Sequence, residues 1–138
     1  VVVTVVVGSR ARGQGIGEIF SLVHRIMIEA LQPLVSAPIR ERGISDLAIG
    51  ERKICGSSLY LPRHPAVFCY QSSLMVDSEP SLIDRYLYHP PREPEYRKGR
   101  THAAFCTTMR AQGCGQSPGG VACRVGTAFS AYFDPAFP

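Results

Sequence analysis

The sequence predicts an α/β domain, and three observations carry that expectation. Residues 1–7 are β-branched throughout, six valines and Thr4, residues 19–34 repeat apolar side chains at helical spacing, and two strand-like runs flank a Gly50-Glu51 turn. A length of 138 residues fits one domain that buries roughly two-thirds of the surface its unfolded chain would expose. A real core is therefore expected. Apolar residues at 45% against 19% charged residues exclude wholesale disorder, because enough apolar surface is available to offset the cost of ordering the chain.

The elements follow in chain order. Residues 1–7 lack polar alternation, which predicts a central strand covered on both faces. Residues 9–17 read as a polar, glycine-rich loop. Ile19, Phe20, Leu22, Val23, Ile26, Met27, Ala30, Leu31 and Leu34 then mark the inner face of an amphipathic helix, closed by Pro33 and Pro38, which cannot continue its hydrogen-bond ladder. Asp46–Ile49, the Gly50-Glu51 turn and Arg52–Tyr60 predict a β-hairpin, and residues 67–76 the next strand. Ser78-Glu79-Pro80 predicts a helix start, with Leu82, Ile83, Tyr86 and Leu87 as its apolar face. Prolines at 90, 91 and 94 force an extended surface segment, and residues 99–105 open another short helix. Residues 111–138 hold only two charges, Arg124 and Asp134, among repeated glycines and prolines. A loosely packed tail is expected there, with a weak strand-like run at 121–132.

Charge and cysteine usage narrow the function classes. The net charge of +4 comes from scattered basic residues, among them Arg10, Arg12, Arg40, Arg52 and Arg97, with no aromatic-interleaved stripe. No nucleic-acid partner is expected. The five cysteines are odd in number and form no CxxC pair, which fits a reduced, cytoplasmic chain. The opening apolar run is about a third of the length that crosses a bilayer, so no membrane segment is expected. A chain that begins inside a strand, without an initiator Met, is expected to be a piece of something longer.

The stretch that carries chemistry is the hairpin 45–58, which sets one lysine beside small residues. Period-two alternation places Lys53, Cys55 and Ser57 on one face. An ammonium group flanked by glycine and hydroxyls suits an anionic ligand, because small neighbours let the ligand approach the backbone. Activation of a carboxylate by ATP is such a case, since negative charge gathers on the carboxyl oxygen and α-phosphate as an acyl-adenylate forms. Spacing alone also admits plainer readings. Lys53 can be a solvated lysine beside a turn, Gly56 a bulge glycine and Asp46 a turn residue.

The run Asp46-Leu47-Ala48-Ile49-Gly50-Glu51-Arg52-Lys53-Ile54-Cys55-Gly56-Ser57-Ser58 resembles the DL-hydrophobic-x-G-x-[RK]-K-[IVF]-[SAC]-G-[SN] block of lipoate-protein ligases, of the biotin/lipoate A/B protein ligase family. Tyr70-Gln71-Ser72-Ser73-Leu74-Met75 is similar to that family's next strand, H-G-[ST]-L-L-L. Residues 85–102 resemble the YLxxPxREPxYRxGRxH stretch of one branch. The three motifs stand in the family's order and cover about residues 1–108. The resemblance implies a class II synthetase-like α/β fold whose mixed, mostly antiparallel sheet is flanked by helices. It implies a truncated catalytic domain over 1–110, with 111–138 outside it. The activity implied is ATP-dependent formation of lipoyl-AMP and transfer of lipoate to a lysine of a lipoyl carrier domain, belonging to a 2-oxoacid dehydrogenase or the glycine cleavage protein. ATP, Mg2+ and lipoate are the ligands implied.

Carried over by motif position, Lys53 is the catalytic lysine that contacts the adenylate, and Asp46 and Ser45 lie near the adenosine, Asp46 also near magnesium. Gly56 and Ser57 line the acyl channel, with Ser72 and Ser73 opposite. The sequence departs from the family at Ser45, where Asn is frequent, and at Gln71, where His is common. The family's R-R-x-[ST]-G-G-G phosphate loop, which precedes the strand matched to residues 1–7, has no counterpart here; Gly13-Gln14-Gly15-Ile16-Gly17 follows that strand and has no paired arginines.

Other constellations stay open beside this one. Octanoyl- or lipoyltransferase relatives use a catalytic cysteine, which in one group precedes the aspartate segment, yet residues 36–42 contain none. Cys55 and Cys69 read as packed thiols. Cys106, Cys114 and Cys123 with His102 lack the short chelating pairs of structural zinc sites. His24, His64 and His89 read as structural or solvated. A non-catalytic remnant or binding module of the same fold is the alternative to an enzyme.

Overall fold

The computed structural model describes residues 1–9, 13–62 and 66–133; Arg10, Arg12, His64 and Asp134 lie outside them. Five strands form one antiparallel sheet in the order β1-β5-β4-β3-β2, where β1 is Val2–Ser9, β2 Ile39–Arg42, β3 Asp46–Ile49, β4 Arg52–Tyr60 and β5 Val67–Leu74. The only parallel pairing among the described residues is an isolated bridge between Lys53 and Cys106. The hairpin of β3 and β4 turns at Gly50, whose φ of 57° lies in the left-handed region that glycine adopts without strain. β2 has no counterpart in the sequence expectation: Arg40, Glu41 and Arg42 mask its period, while Ile39 alone enters the core.

Helix α1, Ile16–Leu31, lies across one face of the sheet and runs on into a 3-10 turn, Gln32–Leu34. It begins within the stretch expected to be loop, where the Glu18 carboxylate accepts from the Gly15 amide. Its buried side chains, including Ile19, Val23, Met27 and Leu31, pack on Leu47, Ile54, Tyr70 and Leu74 from the strands.

The expected loose tail is corrected. Pro118–Phe133 is a 16-residue helix, α4, packed against α1 and β1, with Val121, Val125 and Phe129 buried in the same core. Those three positions recur every four residues, the spacing of one helix face. Pro118 stands in its first turn, and the Ser117 hydroxyl accepts from the Gly120 amide. Arg124 fastens the pair of helices by donating to the Ala30 carbonyl at 2.5 Å.

The opening run is also corrected. Among the described residues β1 is an edge strand paired only with β5, and its residues alternate between buried and exposed. Val2 and Val6 enter the core beneath the helices, while Val1, Val3, Val5 and Val7 stand exposed on the opposite face. A central position needs neighbours and cover on both sides, and among the described residues only one side has them.

Among the described residues that opposite face is covered at one end, by the segment that follows β5. It contains α2, Ser81–Tyr86, a 3-10 turn at Glu95–Arg97, and α3, His102–Phe105, capped by Thr101. The expected apolar face of α2 is not buried: Leu82, Tyr86 and Leu87 are exposed, and only Ile83 packs, on a small cluster of Met75, Phe105 and Cys106. Among the described residues no helix is long and apolar enough to cross a membrane.

Candidate functional site

Lys53 owes its place to a bulge in the hairpin. Leu47 pairs with Cys55 and Ala48 with Lys53, so Ile54 is the extra residue on β4. One added residue reverses the alternation, and side chains on either side of it that would have shared a face are parted. Lys53 therefore does not share a face with Cys55 and Ser57, as simple alternation predicts. It shares one with Asp46, Ala48 and Gly56, on the side away from α1.

Lys53, Asp46, Tyr96 and Gly56 together build a site. The Lys53 Nζ lies 2.7 Å from Asp46 Oδ1, with the Asp46 side chain 7% exposed and that of Lys53 26% exposed. Asp46 Oδ2 accepts a 2.9 Å hydrogen bond from the Tyr96 hydroxyl. Burial, and then the Asp46 carboxylate beside it, push the Tyr96 hydroxyl far above its ordinary range, so it remains a donor. Gly56 stands directly opposite Asp46, and the lysine stem crosses it: a Cβ on Gly56 would sit 2.6 Å from Lys53 Nζ and 2.7 Å from its Cε. Only a residue without a side chain lets the amine lie there.

The amine edges a groove of about 320 Å³ lined by Val3, Lys53, Gly56, Ser57, Ser58, Gln71, Ser72 and Ser73. Five residues expected from the sequence, Lys53, Gly56, Ser57, Ser72 and Ser73, thus meet along one hollow, and Asp46 stands behind the lysine. Their hydroxyls do not all face it. Ser73 pairs with Gly56 on the open face. Ser57 donates to the Ser45 carbonyl at 2.5 Å and contacts His24 Nε2 at 3.0 Å, and the Ser72 hydroxyl reaches Met27 Sδ at 3.8 Å. Ser45 takes part through that carbonyl, which also accepts from the Ser57 amide at 2.9 Å. Larger hollows along α1 and between α1 and α4 contain no comparable grouping around a buried carboxylate.

Magnesium at Asp46 does not fit this arrangement. Both carboxylate oxygens are engaged, one by Lys53 and one by Tyr96, and among the described residues no three His, Cys, Asp or Glu side chains gather as a metal site. A Mg2+ ion on either remaining lone pair would lie close to the Lys53 ammonium, 2.7 Å from Oδ1, whose like charge opposes a second cation there.

The cysteines divide by face. Cys55 is buried and its thiol is pushed up to about 12 by burial, so it is a packed, unreactive group. Cys69, expected to be packed too, is half-buried on the open face opposite Val7. His24 is fully buried. Since Ser57 gives its one proton to Ser45, His24 Nε2 donates to Ser57, which leaves Nδ1 bare 3.6 Å from Glu41. His89 lies on the surface segment, paired with Glu93 at 2.9 Å. Tyr96 is the residue that spacing could not nominate: it stands inside a quoted motif, but its contact with Asp46 spans fifty residues.

The family model for the lipoyl protein ligase A/B catalytic domain matches residues 1–114. Among curated proteins, none matches the chain. Among solved structures, the chain is similar to a bi-partite lipoate protein ligase from Thermoplasma acidophilum, described with its E2 lipoyl domain, at 16% identity and a TM-score of 0.70, covering 91% of this chain and 48% of that one. A lipoate-protein ligase A bound with ATP gives 16% identity and a TM-score of 0.69, over 91% of this chain and 49% of that one. P. falciparum LipL1 in complex with lipoate gives 14% identity and a TM-score of 0.64, over 85% of this chain and 32% of that one. The likeness to these structures is one of fold, and the chain spans 32% to 49% of their lengths.

Proposed function

The chain belongs to the lipoyl protein ligase A/B catalytic domain family, and from that membership we propose that it carries the lysine-bearing part of an ATP-dependent lipoate-protein ligase site. The observation that carries the reading is the Lys53 ammonium, held by a buried carboxylate at the edge of a groove floored by glycine and serine. The neighbours described with lipoate and with ATP support these two as ligands, and the one described with its E2 lipoyl domain supports a carrier domain as acceptor.

In this reading the lipoate carboxylate attacks the α-phosphorus of ATP. A carboxyl oxygen-phosphorus bond forms, the bond to the β-phosphate oxygen breaks, and pyrophosphate leaves. The lysine ammonium has three donors, of which Asp46 takes one. The other two offer hydrogen bonds to the carbonyl oxygen and α-phosphate of the mixed anhydride, where negative charge accumulates. In the second step the neutral amine of the carrier lysine attacks the activated carbonyl, AMP leaves with the bonding pair, the nitrogen gives up one proton to solvent, and an amide remains. Here Lys53 acts again by holding charge on the carbonyl oxygen. The groove beside Gly56 is the place for the acyl chain, with Ser73 and Gln71 along it.

Lipoate-dependent exchange of labelled pyrophosphate into ATP tests the proposal. The chain, which has no counterpart of the family's phosphate loop, should catalyse exchange only weakly, and Lys53→Ala should lower it by at least about a hundredfold, the scale of removing one charge-stabilising donor. Exchange that persists in Lys53→Ala would remove the lysine from its role. Absence of exchange in the unmodified chain would favour the non-catalytic binding module.

A further inference from the structure

We propose that Tyr96 is a positioning residue for Lys53, acting through Asp46, so that residues 88–107 aim the amine over Gly56. The inference rests on the reading of Lys53 given above and extends it to a residue outside the hairpin. A carboxylate as buried as Asp46 needs donors for both oxygens, because an unmet acceptor away from water is costly. The two donors come from different parts of the chain, Lys53 from β4 and Tyr96 from the segment after β5. With Oδ2 fixed by the phenol, Oδ1 has one direction left in which to meet the amine. That direction determines where the two remaining N–H bonds of Lys53 point.

The segment itself is held in register on the hairpin, which makes it fit for this purpose. The Tyr96 ring packs on Phe105 with centroids 5.0 Å apart and lies under the Arg42 guanidinium. Arg52 donates to the Cys106 carbonyl at 2.6 Å, Arg100 to the Glu51 carbonyl at 2.9 Å, and the Thr107 amide to the Lys53 carbonyl at 2.8 Å. These bonds grip the hairpin at Glu51, Arg52 and Lys53 itself. The phenol is the contact that reaches from this frame into the ion pair.

The chain has two lysines, Lys53 and Lys98, so nitrogen-15 labelling of lysine gives two ammonium resonances, which Lys98→Arg assigns. Tyr96→Phe keeps the ring and its packing while removing the donor. The Lys53 resonance should move towards that of the exposed Lys98 and broaden by faster exchange, with the amide spectrum otherwise kept. In the exchange assay, Tyr96→Phe should lower kcat about tenfold at an unchanged KM for lipoate, the scale of one hydrogen bond to a charged group. It should cost nothing further in an Asp46→Ala background, because the phenol acts only through that carboxylate. An unmoved Lys53 resonance in folded Tyr96→Phe, or losses that add fully in the double variant, would overturn the inference. A moved resonance in a chain without lipoate-dependent exchange would uphold the positioning and defeat the ligase reading instead.

Discussion

The two faces of the sheet treat the same residue in opposite ways. Val2 and Val6 are 7% and 9% exposed beneath α1 and α4, whereas Val3 and Val7, on the same strand, are 67% and 68% exposed on the other face. The covered face is a sorted apolar layer with few polar groups: His24 Nε2 meets Ser57, and the Ser72 hydroxyl meets Met27. The open face holds Lys53, Gly56, Ser58, Gln71 and Ser73 beside those bare valines. Cover on one side confers stability, and its absence on the other leaves small polar residues reachable by a ligand.

The contrast breaks first at its stabilised side. Leu74→Ala, which empties a fully buried position, should lower the unfolding free energy by about 2–5 kcal/mol. Val5→Thr on the open face should stay within about 0.5 kcal/mol, both read from denaturant midpoints at a common slope. Equal losses would mean that the valine face is covered in solution.

Gly56→Ala sharpens the open side. The new Cβ meets only the far end of a flexible lysine, so the fold should hold while the amine is pushed off the groove. Pyrophosphate exchange should fall by about tenfold with a stability change under about 1 kcal/mol. A parallel loss of folding and exchange would reduce Gly56 to a structural residue.

The smallest effect concerns His24, whose burial lowers its pKa from the ordinary 6.5 against the opposing pull of Glu41 and Asp46. The unfolded chain then binds this proton more readily than the folded one. Its contribution to stability is complete above about pH 6.5 and is lost as the pH falls from there through the lowered folded value. Urea midpoints measured from pH 7.5 down to 5.5 should decline more steeply for the native chain than for His24→Gln. Identical declines would show that the buried imidazole does not titrate with folding.

Much of this arrangement was legible beforehand, for identifiable reasons. The helical spacing from Ile19 to Leu31 and the Gly50-Glu51 turn are local signals, and α1 and the β3–β4 hairpin form where those signals stand. α4 was hidden because Gly119, Gly120 and Gly126 and the β-branched valines weaken helix propensity, and packing on α1 and β1 outweighs it. The edge position of β1 was illegible because apolar alternation is invisible when every second residue is also valine.

The sequence by itself determined the family, the hairpin and the lysine beside its small neighbours, since these depend on residues close together in the chain. Tertiary structure decided which way Lys53 points, through one extra residue at Ile54, and which groups hold it there. It also joined Tyr96 to Asp46 and left the β1 side of one sheet face exposed. A side chain's direction and its distant partners follow from register and packing, which no short stretch of sequence encodes.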